Sequence, residues 1–206
     1  MPRPYALRAR ADGALNTRQR ILEAAIALLA EDPHPTVNVL AIAEQCGVAR
    51  STIYSAFGSR GGLIAAMFKH VFDRSGSERL GELFSLPDAS QALRRSLEQG
   101  CLMYARDRDV VARLILVSDL DAEAAEAAAA DGRKRAAGMR DLAHRLADQG
   151  HLRDGMSEEE AAAYLWVVTS FWTFDQLYTG WRLSARRCGR AVVEMATRTL
   201  LRPERL

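Results

Sequence analysis

The chain has 206 residues, 28 basic and 26 acidic, for a net charge of +2; 49% of it is hydrophobic and 26% charged. That balance excludes a disordered, fibrous or strongly polyionic chain, and the length allows one large domain or two small ones around a real core. No apolar run approaches the about 18–20 residues of a membrane span and no apolar segment opens the chain, so a cytoplasmic protein without a membrane partner is expected.

Charge distribution says more than the total. Residues 1–75 hold nine Arg/Lys against six Asp/Glu, whereas the remainder is slightly acidic. The positive excess lies on the part that the motifs below assign to phosphate contact. Cys46, Cys101 and Cys188 are far apart and each sits among apolar residues, which points to small-hydrophobe packing over a disulfide or a metal site.

In chain order, residues 1–15 carry Arg3, Arg8 and Arg10 without apolar periodicity. They read as a flexible arm, either without a fixed role or reaching a minor groove or phosphates. Asn16 followed by Gln19 matches a capping box, and Ile21, Ala24, Ala25, Leu28 and Leu29 form one apolar stripe of a first helix that Pro33 and Pro35 stop.

Asn38 caps a second helix, which ends at Cys46-Gly47-Val48; a third follows over Arg50 to Phe57. Ile42, Ala43, Val48, Ile53 and Phe57 fall where two crossed helices touch, and Gly47 can take the positive φ of a sharp helix exit. This is the pattern of a helix-turn-helix, whose second helix enters a DNA major groove. Arg50, Ser51, Thr52, Tyr54 and Ser55 are left facing outward. Arg50 can donate in a fork to guanine, while Ser51 and Thr52 can reach base edges.

Ser59 caps a fourth helix carrying Leu63, Ile64, Met67, Phe68, Val71 and Phe72, with Gly61-Gly62 in its first turn. Residues 75–90 read as a loose connection. Helices are expected over 92–106 and 107–120, and one long helix over 121–149, with a possible break near Asp131-Gly132. Arg133-Lys134-Arg135 reads as a solvated helix face. Ser157 with Glu160 forms a second capping box, opening a helix from about 158 to 178 that is apolar nearly all round. Such a helix must be covered on every side, and one side needs a partner beyond its own domain. A last helix spans 184–201. Asp175, inside an aromatic run, is expected to pair with an arginine or to face solvent.

The run Ile42-Ala43, Gly47-Val48, Thr52-Ile53-Tyr54, Phe57, Ser59-Arg60, Leu63 resembles the DNA-binding signature of the TetR family of transcriptional regulators, without a gap from Asn38 to Leu63. Three positions depart from the family pattern: Ala49 stands for a capping Ser, Arg60 for Lys, and Gly61-Gly62 for acidic or polar helix formers. The resemblance is sharp over 16–72 and architectural beyond.

It implies an all-α protein with a three-helix helix-turn-helix domain over 16–60 and a helical ligand-binding and dimerisation domain over 61–206. The implied function is that of a ligand-responsive regulator, a repressor by family habit. It would bind a palindromic operator in double-stranded DNA as a homodimer and be released by a small, partly apolar effector. An activator or an effector-independent DNA-binding protein is the alternative.

The DNA-contacting set is then Asn38, Arg50, Ser51, Thr52, Tyr54, Ser55 and Arg60, with Tyr54 and Arg60 on phosphates as at the family's matching positions. The effector lining is drawn from Met67, Met103, Tyr104, Met139, His144, Trp166, Trp172 and Phe174. Gly61-Gly62 would soften the joint through which effector binding repositions the reading head. No phosphate loop, nucleophile elbow, zinc-protease motif or Cys/His metal spacing is present in the sequence, so neither an enzyme nor a cofactor is expected.

Overall fold

A computed structural model describes residues 4–32 and 35–203, with side chains described from residue 13 onward. Arg3, the side chains of Arg8 and Arg10, Pro33 and His34 lie outside the described residues. Among those described the regular structure is helical: α1 (Pro4–Glu31), α2 (Val39–Cys46), α3 (Arg50–Phe57), α4 (Arg60–Ser75), α5 (Ser77–Phe84), α6 (Ala89–Arg106), α7 (Arg108–Leu120), α8 (Ala122–Asp148), α9 (Glu158–Val168), α10 (Phe171–Asp175) and α11 (Ala185–Leu200). One isolated bridge, between Leu152 and Leu201, is the sole β pairing described. The all-α expectation holds.

The chain divides into two compact units, 1–71 with 109–129, and 72–108 with 130–206. In the first, α1 packs on α2 and α3. Its core contains Ile21, Ala25 and Leu29 from α1, Ile42 and Ala43 from α2, Ile53 from α3, and Leu63, Ile64 and Met67 from α4. Leu22 and Ile26 share α1's buried stripe, so that stripe is wider than the spacing of Ile21, Ala24 and Ala25 suggested. The helix also starts earlier than Asn16. Residues 4–15 are rich in Ala, Leu and Arg, good helix formers that carry the helix through Gly13. Asn16 and Gln19 therefore form no capping box, and the Gln19 amide donates to Glu23 instead (2.8 Å).

In the second unit α11 packs along α6, with α9 and α10 beside them and α5 against α6. Gly189 lies against the Glu98 backbone, where an added Cβ would come within 3.2 Å of Cα, so glycine permits this close crossing of α11 over α6. Three expectations are corrected here. The connection over 75–90 contains α5, started by Gly76 at φ +105° and held through buried Leu83. α8 is unbroken at Asp131-Gly132. The helix expected over 158–178 is interrupted at Thr169-Ser170, where Ser170 Oγ caps α10 through the Thr173 amide (3.0 Å), and it ends in a π-helical turn over Gln176–Gly180. Serine and threonine hydroxyls that bond the local backbone compete with helix continuation in this way.

Candidate functional site

The reading element is built from the caps outward. Asn38 Oδ1 accepts from the amides of Leu40 (3.0 Å) and Ala41 (3.3 Å), fixing the start of α2. Gly47 ends it in the left-handed region, at φ +63°, and Val48 donates back to the Ala43 carbonyl (3.1 Å). Two arginines absent from the sequence-derived site complete the frame. Arg20 donates to the Cys46 carbonyl at the end of α2 (2.8 Å). Arg18 donates to the Ala56 carbonyl near the end of α3 and lies over the Phe57 ring (4.1 Å). Cations placed on the last carbonyls of two helices complement their dipoles. No local spacing identifies these two, because each acts on residues more than twenty positions away.

α3 presents Arg50, Ser51 and Ser55 to solvent and buries Ile53, with Thr52 and Tyr54 half-buried. Arg50 Nη2 donates to the Tyr54 hydroxyl one turn on (3.1 Å), so the two longest outward side chains form one polar unit. Ala49 supplies no side-chain cap to α3.

Arg60 stands differently from the phosphate contact expected of it. Its Nε donates to the Val37 carbonyl (3.0 Å), Nη1 to Asp121 Oδ1 (3.0 Å), Nη2 meets Asp121 Oδ2 (2.9 Å), and Glu123 lies 3.6 Å from Nη1. Two carboxylates and a carbonyl surround the guanidinium. The fork fits Asp121 bidentately, a geometry a lysine cannot reproduce, which gives a physical reason for Arg at this position. The Arg60 hydrogen bond, helped by the Ala124 amide, holds the Asp121 carboxyl below its ordinary value.

At the glycine pair next to Arg60 close packing, the alternative to a softened joint, is seen at one position. A Cβ on Gly62 would overlap the Phe57 carbonyl oxygen, whereas on Gly61 it would meet the Glu123 carbonyl oxygen at an ordinary 3.5 Å. Gly62 is thus required for a close backbone approach between the end of α3 and the start of α4. Ser59 Oγ, accepting from the Gly62 amide (3.0 Å), caps α4.

Of the expected effector lining, Met67 lies in the first unit and is fully buried. The others belong to the second, and the structure brings together only some of them. Tyr104 donates to the Thr169 carbonyl (3.2 Å) and stacks against Phe171 and Phe174 at 5.5 and 5.7 Å between centroids. Burial pushes its phenol above the ordinary value. Thr169 Oγ1 reaches the Met139 sulfur (3.6 Å) and accepts from Arg135 (2.7 Å), whose guanidinium lies 3.9 Å from the Trp166 ring centre. Met103 and Phe174 are core. Trp172 is 48% exposed and turns its ring edge to Phe171.

His144 stands apart and exposed, its Nδ1 on Glu158 (3.1 Å) and its Nε2 on Asp148 (3.3 Å). These three present possible metal-ligand atoms within 4.8 Å of one another. The carboxylates take opposite edges of the ring, which is the geometry of surface ion pairs; one metal ion would engage a single edge. Asp175 accepts a forked pair from Arg108 (2.7 and 2.9 Å), which draws its carboxyl below the ordinary value, as does Thr179. The arginine alternative for Asp175 is the one realised.

Residues 21–67 match the family model described as bacterial regulatory proteins, tetR family. Over this segment the chain is similar to regulators of the TetR family. A TetR-type relative, the HTH-type transcriptional repressor LfrR of Mycolicibacterium smegmatis, is 40% identical over 84 residues, 40% of this chain and 42% of that protein. The match therefore spans less than half of the relative's length. Among solved structures the chain is similar to NalD, the secondary repressor of the MexAB-OprM multidrug efflux pump in Pseudomonas aeruginosa (TM-score 0.76, 22% identity, 93% of this chain and 98% of that one). It is also similar to SmeT in complex with triclosan (TM-score 0.73, 22% identity, 93% and 99%). These two likenesses show that the chain shares the fold of those proteins over most of its length, the C-terminal half included.

Proposed function

We propose that the chain is a ligand-responsive transcriptional repressor that binds a palindromic operator as a homodimer. The observation that carries this reading is the polar outward face of α3, Arg50, Ser51, Thr52, Tyr54 and Ser55, within the segment that matches the TetR DNA-binding model. An eight-residue helix with small side chains around one arginine and one tyrosine suits a major groove. Arg50 reads a base edge, Tyr54 orients it and meets phosphate, and Asn38 serves mainly as the α2 cap. Arg60 acts as a brace inside the reading head, not as a phosphate contact.

Dimerisation is supported by α9 and α10, which leave Tyr164, Val167 (59% exposed) and Trp172 uncovered, and by Met195 on α11. Aromatic residues at this exposure form an apolar surface that a second copy would cover. The dimer would supply two recognition helices at the about 34–36 Å spacing of operator half-sites, and a small effector in the second unit would favour a state that no longer matches it. Repression is supported by the LfrR and NalD likenesses, and a small-molecule effector by the triclosan complex of SmeT.

A footprint on DNA flanking the protein's own coding region tests the reading. Protection of a two-fold symmetric site, one dimer per site, is expected. Uniform, unsymmetric coverage would make the chain a general DNA-binding protein.

A further inference from the structure

Arg135 carries a further inference, resting on the ligand-responsive reading above. In the second unit half-buried cations meet carboxylates where the fold supplies them: Arg108 is held in a fork by Asp175. Arg135 is half-buried too, yet no carboxylate among the described residues pairs with it. Its neighbour Lys134, exposed, already has Asp131 (3.4 Å). The expectation of a solvated Arg133-Lys134-Arg135 face is thus correct for the first two and wrong for the third.

Packing accounts for Arg135's position. Nη2 donates to the Trp166 carbonyl and to Thr169 Oγ1 (2.7 Å), and the guanidinium plane is set against the Trp166 ring, 3.9 Å from its centre. Stacking and two neutral acceptors hold a cation in place without neutralising it. Among the described residues Nε and Nη1 have no hydrogen-bond partner. No fully buried side-chain nitrogen or oxygen among the described residues lacks one, so that edge of the guanidinium reaches solvent. Burial also draws the Arg135 pKa below the ordinary arginine value, the direction expected for a cation without its counter-charge.

The surroundings are apolar and soft. Met139, one helical turn along α8, contacts Thr169 through sulfur, Tyr104 donates to the Thr169 carbonyl, and Trp166 provides a ring face.

From this geometry we infer that the effector is an organic anion, a carboxylate or similar planar oxyanion on an apolar or aromatic body, whose charged end is received by Arg135. The open N–H edge matches a carboxylate in fork geometry, and Trp166 and Met139 accept the apolar part. Thr169 is the positioning residue: its hydroxyl fixes the guanidinium and its carbonyl is fixed by Tyr104.

The test is differential binding on the full-length protein, by thermal shift and tryptophan fluorescence. The probes are benzoate, 1-naphthoate and decanoate, each beside its neutral primary amide. At least one acid is expected to bind tenfold or more tightly than its amide, with the preference weakening as salt rises. Arg135→Gln should erase that preference while leaving the helical spectrum unchanged, and Arg135→Lys should retain part of it, since charge persists but the fork is lost. Should Arg135→Gln fail to fold, the Lys variant and the salt dependence decide the matter. Equal binding of acid and amide, a preference surviving in Arg135→Gln, or no acid binding at millimolar concentration would each overturn the assignment. A symmetric operator footprint would survive any of those outcomes, so the DNA-binding reading fails or stands separately.

Discussion

The two units differ in one arginine. In the first, Arg18, Arg20 and Arg60 all close onto backbone carbonyls, and Arg60 takes Asp121 and Glu123 as well. The second also sets Arg145 and Arg202 on backbone carbonyls and Arg108 on Asp175. There, however, Arg135 sits half-buried on a tryptophan with no carboxylate among the described residues beside it. Exposed apolar residues differ similarly. Among the described residues the first unit shows only leucines, Leu15 and Leu40 singly and Leu116 with Leu120 one turn apart on α7, whereas the second gathers Tyr164, Trp166, Val167 and Trp172 on α9 and α10. A few surface leucines need no explanation; a cluster of aromatics and a cation without a carboxylate do. The reading head is a braced body whose outward groups are few, and the second unit is the part whose charge and apolar surface remain to be matched by other molecules.

The largest effect that would sharpen this contrast is expected at Gly62. Gly62→Ala sets a methyl group on the Phe57 carbonyl oxygen and should destabilise the head by about 1–3 kcal/mol, the range of overpacked sites. Unfolding followed by circular dichroism measures it, and a loss below a few tenths would mean that α3 and α4 yield to each other.

A smaller effect is expected at Asp121. Its folded value lies below the unfolded one, near 3.9 for an ordinary aspartate, so the Arg60 contact stabilises the head above that value. The contribution is lost as pH falls through the lowered value. Asp121→Asn should therefore cost about 1 kcal/mol at neutral pH and flatten the acid limb of the melting-temperature profile below about pH 4. Asp175, lowered first of all by its Arg108 hydrogen bonds, accounts for part of the acid sensitivity that remains. An unchanged acid limb would detach Arg60 from the brace.

The smallest effect belongs to Gly61, where alanine meets only ordinary contacts. Gly61→Ala should be neutral or stabilise by up to about 1 kcal/mol through helix propensity. A large loss there would show that Gly61, like Gly62, is required for a close approach.

Much of the head was legible in the sequence, because its signals are local. The Asn38 cap, the Gly47 exit and the alternation of Ile53 with outward polar residues each act within a few positions. The capping box at Ser157–Glu160 was legible for the same reason. What was missed acts across the chain. The partner of Arg60, Asp121, lies sixty-one residues on, beyond any local signal. Arg18 and Arg20 cap helices that begin many residues after them. Likewise, α5 was hidden because its eight residues lie between Gly and Pro signals, with a single fully buried anchor in Leu83. In the expected effector set, residue type alone could not tell that Tyr104, Phe174 and Met139 lie together inside the second unit while His144 lies at the surface.

The central claim, that Arg60 braces the head while the outward face of α3 reads DNA, is tested most directly by the salt dependence of binding to the footprinted fragment. For Arg60→Gln, measured where the variant is folded, the slope of log affinity against log salt should equal that of the unaltered protein, since no phosphate contact is lost. A slope shallower by about 1 would show that Arg60 neutralises a phosphate and would contradict the account.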